Sequence, residues 1–153
     1  MVDTGFNLQS KIMKKENDLK EIKEIENLSC LYASLIDSNQ FNRLSEVFSK
    51  NAILKIPEFQ FDGVESIISC MEALREYDKT QHFVTNQLVN IDNSTATNEV
   101  YTVASHFSKI EEICNKLDWG IIYKDNLIKE HGNWKICKRE LNLIWERNST
   151  VKY

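Results

Sequence analysis

Residues 82–108 read HFVTNQLVNIDNSTATNEVYTVASHFS, and the alternation in this stretch decides the class of the fold. Apolar and β-branched residues recur at every second position on both sides of Asp92-Asn93-Ser94, a turn sequence. The segment therefore predicts two long strands joined as an antiparallel hairpin. A second pair has the same form: LDWGIIYKDNLIKE from Leu117, a turn at His131-Gly132-Asn133, then WKICKRELNLIW from Trp134.

Upstream the period changes. Leu19, Ile22, Ile25, Leu28, Tyr32 and Leu35 recur at three and four residues, which predicts an amphipathic helix ending near Asp37. SNQ breaks it, and Phe41, Leu44, Val47 and Phe48 mark a second, short helix. AILKI (Ala52–Ile56) reads as a strand stopped by Pro57, the only proline, which cannot continue a ladder inside a sheet. Asp62-Gly63 turns the chain into a third helix carried by Val64, Ile67, Ile68, Met71 and Leu74. Residues 1–17 are polar and aperiodic and are expected to form a flexible arm, residues 18–148 a single domain, and residues 149–153 a tail. Three helices followed by long antiparallel strands make an α+β layout. Such a sheet can curl over the helices and enclose a pocket, but periodicity does not show the curl.

At 153 residues, 42% apolar and 27% charged, the chain has the composition of an ordinary globular domain with a sizeable core. Its net charge of -4 offers no basic footprint for a nucleic acid. No apolar run approaches the roughly 20 residues of a membrane span, and the N-terminus has no apolar signal core. Cys30, Cys70, Cys114 and Cys137 are widely spaced, without the clusters of a zinc site, so no metal is expected and a reducing cytoplasm is.

The chemistry-bearing candidates are few. His82 is one of three histidines, and by strand parity it shares a face with Val84, Asn86 and Leu88. His106 shares its face with the smaller Val100, Thr102 and Ala104, while Tyr101, Val103 and Phe107 face the other way. A histidine among small residues borders either a cavity or a close helix contact, and parity does not choose. Asn86, in parity with His82, is a candidate donor to a substrate oxygen. Asp37 ends the first helix, where the macrodipole disfavours a carboxylate. It is either an ordinary helix terminator or an inward-facing partner for an imidazole.

Three stretches taken together resemble a known family: YASLIDSNQFNRLSEVFSKNAILKIP (32–57), TQHFVTN (80–86) and YKDNLIKEHGNWKICKRELNLIW (123–145). They look like the SnoaL-like family of the nuclear transport factor 2-like superfamily, nearest the branch of scytalone dehydratase and hexachlorocyclohexane dehydrochlorinase. The resemblance spans about residues 20–147. It implies three N-terminal helices packed on a strongly curved, mostly antiparallel sheet that forms a cone with an internal pocket.

In the pocket, the resemblance implies that Asp37 orients His82 as a general base and that His106 belongs to the acid–base machinery. Tyr123, Asp125 and Arg139 match recurring positions, with Tyr123 and Arg139 as substrate contacts, Trp119 as a pocket wall and Asp125 as a sheet-packing residue. The implied activity is a cofactor-independent lyase or isomerase acting on a small hydrophobic, cyclic or polyketide-like molecule. The alternative is a non-catalytic cone that binds a ligand or partner. Relatives assemble as dimers or trimers through the convex sheet face, which here would use Tyr101, Val103 and Phe107. The dehydratase has tyrosines where this chain has Ile36 and, after the first strand, Pro57-Glu58 and Phe59. A different substrate follows from that departure.

Overall fold

A computed structural model describes residues 4–152. Helix α1 runs Thr4–Asp37, and a short 3-10 turn (Phe41–Glu46) leads into strand β1 (Phe48–Ile56). Strand β2 (Phe59–Asp62), helix α2 (Val64–Met71) and a second 3-10 turn (Glu72–Glu76) follow. Four long strands complete the chain: β3 (Lys79–Asp92), β4 (Thr95–Ile110), β5 (Ile113–Glu130) and β6 (Asn133–Val151). The helices pack on one face of a single sheet of order β2-β1-β6-β5-β4-β3. All neighbours are antiparallel except β1 and β6, which run parallel. The sheet is open, with β2 and β3 at its edges.

The α+β class and both hairpins are as the periodicity predicts. Several details differ. Residues 4–17, expected as an arm, continue α1; an Asn17–Glu21 side-chain bond and a Lys20–Glu24 pair at helical spacing support the turns that follow. Residues 1–3 lie outside the described part. Residues 149–151, expected as a tail, belong to β6 and pair with Cys114–Lys116. The second predicted helix is only a 3-10 turn, because Val47 and Phe48 leave it for β1, four residues before the expected strand start. Pro57 does end β1, and the chain then folds back as β2 against Ile53–Ile56.

The core lies between the layers. Ile25, Tyr32, Leu35 and Ile36 of α1 and Ile67 of α2 meet Leu54, Val100, Ala104, Leu127 and Ile136 of the sheet. Burying such side chains stabilises by roughly 1.5–3 kcal/mol each. β4 keeps the expected parity: Val100, Thr102, Ala104 and His106 are buried inward. β3 does not. Val84 pairs with Thr102 but Gln87 pairs with Val100, so Thr85 and Asn86 together oppose Tyr101 in a bulge. One extra residue inverts the parity beyond it. Gln87 therefore turns inward and Asn86 and Leu88 turn out, the reverse of the expectation.

Candidate functional site

The site begins where α1 stops. Gln40 N–H bonds Leu35 O at 2.8 Å and Asn39 N–H bonds Ile36 O at 3.0 Å, with Asn39 at φ 55°. This is the paired closure that terminates helices through a left-handed residue. It leaves Asp37 in the last turn beside β3. Because β3 is an edge strand, a backbone N–H on its outer side has no ladder partner. Asp37 takes that donor: His82 N–H bonds Oδ2 at 2.8 Å. The ring Nδ1–H of His82 bonds Oδ1 at 2.7 Å, and the Thr80 hydroxyl bonds the same oxygen at 2.9 Å. Thr80 and His82 reach one carboxylate because residues two apart share a strand face.

Burial alone would raise the Asp37 carboxyl, but the His82 ring and backbone bonds and the Thr80 bond outweigh it and hold the group below its usual range. An ionised Asp37 fixes Nδ1 as the protonated nitrogen of His82 and leaves Nε2 with its lone pair. The His82 side chain is 5% exposed.

His106 sits one strand over, its ring 6.5 Å from that of His82, between Tyr77 at 4.7 Å and Trp119 at 4.9 Å. Its Nδ1–H donates to Leu117 O at 3.3 Å. Burial lowers its pKa more than this bond and the nearby carboxylates raise it, and the neighbouring His82 adds to the lowering. His106 is therefore neutral at neutral pH, with Nε2 an acceptor.

Deeper in, Arg139 is fully buried. Its Nε and Nη2 donate to the two Asp125 oxygens, each at 2.7 Å. The guanidinium lies over the rings of Tyr123 at 4.3 Å and Tyr32 at 4.4 Å, while Nη1 has no partner. Burial, with Tyr32 beside it, pushes the Tyr123 phenol well above its usual range, so it is neutral. His82, Tyr32, Tyr123 and Arg139 border one narrow void between the layers, without room for a water molecule.

Of the expected site residues, the structure thus brings together His82, Asp37, His106, Trp119, Tyr123 and Arg139. It does not bring Asn86, which the bulge leaves exposed on the outer face, bonded to Thr85. Asp125, expected to serve sheet packing, is the counter-ion of Arg139. Tyr32 and Ser29 escaped notice as site residues. The signal for Ser29 was available: a small polar residue in the stripe Ile25, Ser29, Tyr32, Ile36 that faces the core.

The model of the SnoaL-like domain matches residues 17–140. Among curated proteins no match is found. A scytalone dehydratase-like protein from Novosphingobium aromaticivorans superposes with a TM-score of 0.78 at 22% identity, over 90% of this chain and 93% of the other. Hexachlorocyclohexane dehydrochlorinase LinA type 3 of Novosphingobium barchaimii gives 0.78 at 12% identity, over 91% and 97%. A protein of unknown function with a cystatin-like fold from Nostoc punctiforme gives 0.67 at 20% identity, over 78% and 88%. At such identities the likeness is one of fold.

Proposed function

Because the chain belongs to the SnoaL-like family, and its first helix delivers a carboxylate to a strand histidine, we propose that it is a cofactor-independent lyase or isomerase of the dehydratase type. The substrate is a small hydrophobic molecule, cyclic or polyketide-like. His82 Nε2 removes a proton from carbon next to a carbonyl, and Asp37 stabilises the imidazolium that forms. The C–H electron pair moves towards the carbonyl. In a dehydration it then expels hydroxide, which takes the proton back from His82 and leaves as water; in an isomerisation the proton returns to another carbon. Neutral His106 accepts a hydrogen bond from a substrate hydroxyl and orients it. Tyr123 and Arg139 contact the substrate from below, and Trp119 forms a wall. The protein also self-associates through its outer sheet face, where Phe83, Ile144 and Trp145 are exposed.

The Asp37–His82 contact at 2.7 Å, reinforced by the backbone bond at 2.8 Å, carries this reading. Cyclic β-hydroxy ketones offered in D2O test it by NMR. Wild type should exchange or eliminate the α-proton, and His82→Asn should lose a factor of about 10² to 10⁴. No exchange by wild type, or equal exchange by the variant, refutes the base.

A second reading is a cone domain that binds a ligand without turnover; under it, His82→Ala keeps ligand affinity and there is no turnover to lose.

A further inference from the structure

Three polar groups border the void beside His82 without a hydrogen-bond partner: the hydroxyls of Ser29 and Thr102 and the Nη1 of Arg139. Their residues are 2%, 4% and 0% exposed, and the void between them has no room for water. A serine inside a helix ordinarily satisfies its hydroxyl on the carbonyl four residues back. Ser29 makes no such bond. Thr102 stands on β4 between the apolar Val100 and Ala104, in register with Val84 and Ile121, where a valine of nearly the same shape would leave no hydroxyl unpaired. An unpartnered buried polar group is costly, and here three belong to residues that line one void.

We propose that Ser29 and Thr102 form an oxygen-recognition subsite that makes the protein selective for an uncharged cyclic ketone. The inference rests on His82 acting as base in the same pocket. All three groups can donate, and Nη1 can only donate, so the complement is an acceptor. Asp125 already balances the charge of Arg139 through two bonds, so the subsite has no net cation for a full carboxylate. A carbonyl fits it, as does the enolate oxygen that the carbonyl becomes when His82 takes the α-proton. The donors would then tighten on the developing charge. The chain lacks tyrosines at Ile36 and after β1, and these hydroxyls supply donors from α1 and β4 instead. A ring can enter only if the helix layer parts from the sheet, since Ser29 lies on one and Thr102 on the other and the void between them has no room for water.

The test compares cyclohexanone with methylenecyclohexane, which replaces the carbonyl oxygen by a methylene group, in NMR titrations of the full chain. Wild type should bind the ketone at least about tenfold more tightly, the discrimination of one well-made hydrogen bond. The Ser29→Ala/Thr102→Val double variant should bring the two affinities within about twofold, with methylenecyclohexane bound as well as before. Its melting temperature, equal to or above that of wild type, shows that it is folded. Binding of neither probe, equal binding of both by wild type, or an intact preference in the double variant overturns the subsite. The base is read separately, from deuterium uptake at the ketone α-carbon. Preference without uptake leaves the subsite standing and removes His82 as base; uptake without preference does the reverse.

Discussion

Asp37 holds His82 by two different hydrogens, the ring Nδ1–H at 2.7 Å and the backbone N–H at 2.8 Å. The backbone bond positions the strand and the ring bond sets the tautomer, so one carboxylate does both. Asp37→Asn keeps the size but substitutes an NH2 for one acceptor oxygen, which must then face one of the two donors or Thr80. The variant should lose about 10²- to 10⁴-fold in α-proton abstraction. It should also lose about 1–3 kcal/mol in stability, from a donor left unpaired. Exchange kinetics and urea titration measure the two losses independently.

How much of this was legible in the sequence depends on the distance over which each relationship acts. The hairpins and the end of α1 follow from short-range signals: alternation, Asp92-Asn93-Ser94, His131-Gly132 and the SNQ stop. The parallel pairing of β1 with β6 joins Phe48 to Ile136, and nothing local announces it. The β3 bulge is a single extra residue at Thr85-Asn86, invisible to a reading by parity, and it alone removed Asn86 from the site. Asp37 and His82 lie 45 residues apart; the residues alone left Asp37 open between a helix terminator and an imidazole partner, the family resemblance favoured the pair, and the edge position of β3 explains how it forms. The partnership of Asp125 with Arg139 needed the register of β5 on β6.

The burial of His106 makes stability depend on pH near neutrality. Burial lowers its folded pKa below the unfolded value of about 6.5. Between the two values the unfolded chain binds the extra proton, so stability rises with pH there. The contribution is complete above about 6.5 and is lost as pH falls towards the lowered folded value. Urea midpoints measured from pH 8 to pH 5 should fall with acid in wild type. His106→Gln, which cannot titrate, should show a shallower fall over the same window. Equal slopes would remove His106 as the cause.

The Arg139–Asp125 pair should behave as a unit. Both side chains are almost wholly buried, at 0% and 1% exposure, so removing one leaves an unbalanced charge in the core. Asp125→Leu or Arg139→Met alone should each cost about 3–5 kcal/mol. The double substitution should cost less than either single one, because no buried charge remains. A double-mutant cycle by urea denaturation checks the sign of the coupling. Binding of the ketone probe should weaken in the double variant even where folding recovers, since Nη1 is gone.

On the outer face, Trp145 lies directly over Gly120, its register partner on β5. A Cβ at Gly120 would run into the indole ring at Nε1 and Cε2. The missing side chain thus lets the tryptophan lie down on the sheet, beside exposed Ile144. Gly120→Ala should lift Trp145 away from the sheet and break the flat apolar surface through which we propose that copies associate. The expected outcome is a shift towards monomer in light scattering and a red shift in tryptophan emission. Ile144→Lys attacks the same surface without touching Gly120 and should give the monomer with Trp145 still in place. If wild type is itself a monomer at high micromolar concentration, the outer face is not a self-association surface. The glycine then serves only to seat the ring.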